Sequence, residues 1–148
     1  MRRNKSRKRR PGVILMVVLA MLALLALVGL TFVLVADTAS PPVRPFREEA
    51  VALARDTREA AALVRSDLLD SLSGEVDFSA SRAALAELAR KAEEFKARIR
   101  AASDVSDDPA ARRHLKKLCG TLEELVATLD LLNRLIGEIE RLPQVGGE

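Results

Sequence analysis

One stretch decides the fold of this chain: residues 13–36, VILMVVLAMLALLALVGLTFVLVA, which are 24 consecutive residues without an ionisable side chain. As an α-helix, this stretch rises about 36 Å at roughly 1.5 Å per residue. The hydrocarbon layer of a bilayer is about 30 Å thick, so such a helix can cross it with some tilt. A cleavable secretory signal has an apolar region of only about 7 to 15 residues. We therefore predict a retained transmembrane helix over residues 13–36.

The charges on either side of this apolar helix predict its direction. Residues 1–12 form a basic tail without an acidic residue, whereas the residue that follows the helix is Asp37. Positively charged residues close to a membrane span stay on the cytoplasmic side. We expect a cytoplasmic N-terminus, a single pass through the cytoplasmic (inner) membrane and an extracytoplasmic C-terminal domain. The basic residues that carry this topology signal, and that also suit anionic lipid headgroups, are Arg2, Arg3, Lys5, Arg7, Lys8, Arg9 and Arg10.

The net charge of +3 is the sum of two unlike segments. The tail contributes +7, and residues 37–148 carry 17 basic against 21 acidic side chains. A domain that binds nucleic acid has its basic residues in a patch, interleaved with stacking aromatic residues. Here the segment after the helix is acidic overall, and the chain has neither Trp nor Tyr. No nucleic-acid partner is expected.

The junction between the tail and the helix forms a short motif of its own. In RRPGVILMVVLAMLALLALVGLTFVLVA, residues 9–36, a basic leader ends at Gly12 and the apolar helix begins at Val13. This segment resembles the N-terminus of type IV pilin-like proteins and of type II secretion minor pseudopilins. The resemblance implies cleavage by a prepilin peptidase between Gly12 and Val13, with the helix retained as anchor and assembly segment. The chain departs from most pilins at Val17, where they have Glu, and in having no strand pattern after the helix.

The remainder of the chain contains a spacer and three amphipathic segments. Residues 37–46, DTASPPVRPF, are a Pro-rich spacer, because proline fixes φ and disfavours helix in the residue before it. We assign residues 47–142 to an extracytoplasmic helical bundle and residues 143–148 to a disordered C-terminus. Apolar residues at steps of three and four predict helices over residues 46–72, 79–102 and 109–142.

The third of these helices has the most regular pattern. Asp108 and Pro109 provide an N-cap and a first helical residue. Helices joined by short turns pack antiparallel, so the predicted fold is all-α, with one N-terminal transmembrane helix followed by an antiparallel three-helix, coiled-coil-like bundle. Nine apolar side chains of the third helix follow heptad spacing: Ala111, Leu115, Leu118, Leu122, Leu125, Leu129, Leu132, Ile136 and Ile139.

The third helix is also the longest, at about 50 Å against about 35 to 40 Å for the other two. Its C-terminal part is either covered by the first helix of the bundle or left open to a second chain or a partner helix. The candidate interaction seam in this part consists of Leu125, Leu129, Leu132, Ile136 and Ile139.

Residues for catalysis or cofactor binding are scarce. The sequence has no haem attachment motif, P-loop, dinucleotide glycine pattern or activated nucleophile, so neither an enzymatic activity nor a cofactor is expected. His114 and Cys119 lie five residues apart on different faces of a helix and do not form a zinc site. Cys119 is the only cysteine. We expect it either half-buried beside the seam or in an interchain disulfide across a dimer.

Together these features predict a single-pass, membrane-anchored extracytoplasmic helical module for protein interaction or structure. Its expected partners are membrane lipid and either a second copy, in a homo-oligomer, or another helical envelope protein. Two alternatives remain open: a pilin-like or pseudopilin-like assembly subunit processed after Gly12, and a small-ligand-binding periplasmic helical sensor domain.

Overall fold

The computed structural model describes residues 2–142, with the side chains of residues 12–142. Within this range the chain is helical, without a strand, which confirms the predicted all-α class and the apolar N-terminal helix. The predicted C-terminus at residues 143–148 lies outside the described residues. The helices are α1 (Arg2–Asp37), a 3₁₀ helix (Pro41–Phe46), α2 (Arg47–Asp70), α3 (Ser79–Val105) and α4 (Pro109–Arg141).

The boundaries of the last three helices lie within three residues of those predicted from the apolar periodicity. The main difference is in the Pro-rich spacer, which contains a 3₁₀ helix that includes all three prolines. Pro45 lies inside this 3₁₀ helix, and α2 begins at Arg47. Glu48 and Glu49 lie in its first turn, where negative charge is favourable beside the helix N-terminus.

The start of α4 is capped as the sequence predicts. The Asp108 side chain accepts a hydrogen bond from the Ala110 backbone N–H, with Oδ1 and N 3.1 Å apart. Pro109 is the first helical residue, where its missing N–H costs nothing. The helix then runs through Gly120 without a break to Arg141.

Loss of this cap is expected to destabilise the fold measurably. Asp108→Ala leaves the Ala110 N–H without its side-chain acceptor, and such a loss typically costs about 1 kcal/mol. Urea unfolding of the full chain in mild detergent, followed by circular dichroism, measures the change. Asp107→Ala, one residue earlier and also exposed, is the matched control. Equal stability of the two variants would contradict the capping role.

The helices contact one another in a ring: α1 packs on α2 and α4, and α3 packs on the same two helices from the other side. Side-chain pairs join the start of one helix to the end of another. Arg82 near the start of α3, for example, pairs with Glu140 near the end of α4. Buried residues from all four helices form one apolar core. The packing of α1 against α2 and α4 was not predicted, because its sequence indicates a membrane span separate from the other three helices.

Candidate membrane-facing and partner-facing surfaces

One side of α1, called here the inner face, packs into the groove between α2 and α4. Its residues follow alternating steps of three and four, the heptad spacing of helices that pack along their length. The pattern is invisible in the sequence, because apolar residues occupy every side of this helix. The inner face consists of Val17, Ala20, Leu24, Leu27, Thr31 and Leu34, each at most 5% exposed.

Two threonine hydroxyl groups, one within α1 and one immediately after its end, donate to carbonyl oxygens of α1. Thr31 donates to the carbonyl oxygen of Val28, and Thr38 donates to that of Val35, both at 2.6 Å. Hydrogen bonds of this kind do not depend on what surrounds the helix. Thr31 lies within α1, so it adds no unsatisfied hydroxyl if α1 lies in hydrocarbon.

The opposite side of α1, called here the outer face, is a continuous apolar surface. Leu25 is 70% exposed and Phe32 is 65% exposed. From residue 14 to residue 33 this surface extends for roughly 30 Å at 1.5 Å per residue, which is the thickness of the hydrocarbon layer. Soluble monomers rarely expose an apolar patch of this extent. The outer face consists of Ile14, Leu15, Val18, Leu19, Leu22, Leu25, Phe32 and Val33.

Among the described residues, the segment Gly12–Asp37 is the one helix long and apolar enough to cross a membrane. Of the most apolar 18-residue stretch of this segment, only 28% is buried within the protein. The core helix of a soluble protein is mostly buried, whereas most of this stretch is not; a signal sequence near an N-terminus can have the same length and apolar character.

Asp37 lies at the C-terminal end of α1, where a negative charge is unfavourable beside the helix dipole. Its Oδ1 atom is 3.5 Å from the Nζ atom of Lys117 on α4. Its Oδ2 atom is buried and has no hydrogen-bond partner within the described part of the chain. The end of α1 is thus held to α4 by one long ion pair, at the cost of an unsatisfied oxygen.

The predicted interaction seam on α4 is buried within the chain. Its side chains are between 0% and 5% exposed, since α4 lies between α1 and α3. Neither alternative for the end of α4 describes the structure as predicted: α1 and α3 pack on α4, whereas α2, the first helix of the predicted bundle, is not among the helices packed on it. The seam is not open to a second chain in this conformation, because α1, which the sequence predicts as a membrane span, packs on α4. The seam residues are Leu125, Leu129, Leu132, Ile136 and Ile139.

The predicted topology and processing residues lie at the start of α1. The side chains of Arg2, Arg3, Lys5, Arg7, Lys8, Arg9 and Arg10 are outside the described set, although the backbone here is helical. Gly12 is exposed with open space beside it, and Val13 is partly buried. Both are in the helix, and cleavage between them stays a prediction.

His114 and Cys119 are separated in the structure. His114 is exposed on α4, whereas Cys119 is 7% exposed, with its Sγ atom 3.8 Å from the Lys96 carbonyl oxygen on α3. The side chains of residues 12–142 contain no group of three or more His, Cys, Asp or Glu suited to a metal ion. Burial raises the pKa of the Cys119 thiol above its usual value. A buried thiol facing α3 is poorly placed for an interchain disulfide.

Cys119 is therefore expected to react slowly with alkylating reagents. The thiolate is the reactive form, and both the raised pKa and the burial reduce its availability. At pH 8, iodoacetamide should label the folded full chain about tenfold or more slowly than the urea-unfolded chain, as measured by mass spectrometry. Equal rates would place the thiol on the surface and restore the interchain disulfide as a possibility.

A small cleft of about 250 Å³ lies between α2 and α3. The Lys91 ammonium is 2.8 Å from Asp56 and lowers the pKa of that carboxyl through their hydrogen bond. This pair contributes stability at neutral pH that is lost as the pH falls through the lowered pKa. Glu49 pairs with Arg98, whose guanidinium lies 6.0 Å from the centroid of the Phe95 ring. These charged side chains of the cleft are thus paired with each other.

Comparison with known proteins gives no relative for this chain. No protein-family model, no curated protein and no solved structure matches it. The function is therefore inferred from the outer face of α1, the groove beneath its inner face and the paired charges between the helices.

Proposed function

We propose that this protein is a single-pass, membrane-anchored helical module for protein interaction or structure, with α2, α3 and α4 outside the cytoplasm. The outer face of α1 carries this proposal. Eight large apolar side chains lie exposed along about 30 Å of helix, and a bilayer is the environment that buries such a surface on all sides. The uncharged sequence of residues 13–36 supports the same conclusion.

The charges on the two sides of α1 support an orientation with the N-terminus in the cytoplasm. Seven basic residues precede the span, and Asp37 follows it. The other three helices belong in water, since they carry exposed charged residues along their length, such as Arg58 on α2, Arg90 on α3 and Glu123 on α4. In this proposal α2, α3 and α4 form an antiparallel bundle at the outer surface of the membrane.

The proposed partner is a second copy or another helical envelope protein. The heptad stripe of α4 is buried by α1 and α3 in the structure, so in this proposal it meets a partner helix where α1 lies in the membrane and no longer covers it. Membrane lipid is the second partner, through α1 and the basic tail. In this proposal the protein has no catalytic role and no cofactor.

The proposal is tested with the full-length chain carrying a C-terminal affinity tag. After extraction of the membranes with alkaline carbonate, we expect the chain in the pellet. Purified in detergent and measured by light scattering, it should have the mass of at least two copies or carry a helical partner. A chain released by carbonate would contradict the anchor, and a strict monomer without a partner would contradict the interaction role.

A second candidate is a pilin-like assembly subunit, which the motif around Gly12 favours. In this case a prepilin peptidase cuts between Gly12 and Val13, and α1 becomes the assembly segment. Mass spectrometry of the N-terminus of the chain purified from its own host decides between the candidates. A start at Val13 supports processing, whereas a start at Met1 or Arg2 rules it out.

The third candidate, a ligand-binding sensor, is favoured only by the cleft between α2 and α3. Its lining acids Glu49, Asp56 and Glu94 each pair with a basic side chain of this chain. A charged ligand would have to displace these partners. Thermal-shift screening of the full chain against a compound library tests this candidate, and a concentration-dependent shift by any compound would support it.

A further inference from the structure

Two environments suit α1, and they exclude each other. In the structure its inner face lies in the groove between α2 and α4. In the proposed function the same helix crosses a bilayer. A helix in the bilayer cannot also lie along α2 and α4, because their exposed charged residues, among them Arg55, Arg58 and Glu124, are costly to place in hydrocarbon.

The hydrogen bonds and ion pairs between helices also distinguish α1 from α2, α3 and α4. α2 and α3 are joined by Asp56 with Lys91 and by Ser81 with Asp67, at 2.8 and 2.6 Å. Arg82 of α3 holds α4 by contacts with Glu140. Among residues 12–142, α1 has one such link to another helix, the pair of Asp37 with Lys117 at 3.5 Å. Apart from that pair, apolar contacts hold α1 in the groove, and a bilayer offers apolar contacts equally well.

A buried oxygen of Asp37, at the end of α1, makes the position of α1 in the groove less favourable. In the docked position the Oδ2 atom of Asp37 is buried without a hydrogen-bond partner. If α1 spans the bilayer, Asp37 lies at the membrane surface, where water can hydrogen-bond both carboxylate oxygens. Insertion therefore gives the Oδ2 atom hydrogen-bond partners and also buries the outer face.

The chain also contains a place where α1 can separate from the rest. α1 ends at Asp37, and only residues 38–40 precede the 3₁₀ helix. The 3₁₀ helix packs on α2 and α4, and its Val43 is fully buried. It belongs to the body formed by α2, α3 and α4, which leaves residues 38–40 as the hinge.

We propose that the groove between α2 and α4 is a binding surface for α1, and that α1 exchanges between this groove and the bilayer. This inference rests on the proposed membrane anchor. Docked α1 covers the groove, and α1 in the bilayer uncovers it. Insertion thereby exposes the apolar surfaces of α2 and α4 that face α1 in the structure.

Two Asp–Lys pairs of the same chemistry provide the test. In a Cys119→Ala background, D37C/K117C reports on contact between α1 and α4, and D56C/K91C reports on contact between α2 and α3. The full-length chain is synthesised in a cell-free extract, with or without vesicles of phosphatidylcholine and phosphatidylglycerol. A short bismaleimide is added, and mass spectrometry of peptides measures each crosslink. Carbonate-resistant chain is analysed after flotation with the vesicles.

Without vesicles, both pairs should crosslink. In the carbonate-resistant fraction, the D37C/K117C crosslink should fall by about fivefold or more, as expected when α1 is drawn into the competing environment, whereas the D56C/K91C crosslink should be unchanged. An undiminished D37C/K117C crosslink in that fraction, or its absence without vesicles, would overturn the exchange alone. A chain that never becomes carbonate-resistant would overturn the membrane anchor and the exchange together.

Discussion

The triple variant V18R/L22R/L25R is expected to lose membrane integration. All three positions lie on the outer face of α1, between 48% and 70% exposed, so arginine there does not disturb the packing against α2 and α4. In a transmembrane helix, each arginine near the centre costs roughly 2.5 to 3.5 kcal/mol by insertion measurements. Three of them should shift the full chain from the carbonate-resistant pellet into the supernatant.

The matched control for this experiment is V51R/L63R/L69R. These apolar residues of α2 are also exposed, between 38% and 46%, but they lie outside the proposed span. The control should stay in the pellet at the level of the unchanged chain. If both triple variants stayed in the pellet, the outer face of α1 would not be the surface that meets the lipid.

Leu132→Ala is expected to destabilise the folded chain more than the loss of the Asp108 cap does. Leu132 is fully buried on α4, within the seam that faces the common core. Truncating such a leucine removes apolar contacts and leaves a cavity, which typically costs about 2 to 5 kcal/mol. Urea unfolding of the full chain in mild detergent, followed by circular dichroism, gives the change in the free energy of unfolding.

Leu131→Ala is the natural control, because Leu131 is the adjacent residue on the same helix and is 45% exposed. Its truncation should change the free energy of unfolding by about 0.5 kcal/mol or less, as is usual for surface positions. The two variants have the same helix propensity and the same composition. Similar losses for both would mean that α4 does not have the rotation about its axis that the structure gives it.

Much of the fold follows from local patterns in the sequence. The heptad of α4 fixes both its length and its buried face, and the Asp108–Pro109 pair marks its first turn. These features are decided by residues a few positions apart, so they do not depend on the tertiary arrangement. The starts of α2 and α3 could be placed almost as closely, at Arg47 and Ser79.

The arrangement around α1 could not be predicted, for a physical reason. A helix that is apolar on every side gives no periodicity to show which face packs on protein, and so Ala20 and Leu27 could not be told from Leu22 and Leu25. The cover of the α4 seam was missed for the same reason. The pairing of Asp56 with Lys91 could not be predicted either. The helices carry many charged residues, and several alignments of α2 against α3 would bring opposite charges together.

The side of the membrane on which α2, α3 and α4 lie is the central claim, and labelling of a single cysteine tests it most directly. Val105, at the end of α3, is 80% exposed and accepts Val105→Cys in a Cys119→Ala background. A membrane-impermeant maleimide added to intact spheroplasts should label this cysteine as fully as in lysed cells. Labelling only after lysis, or recovery of the chain from the soluble fraction without detergent, would contradict the proposed topology.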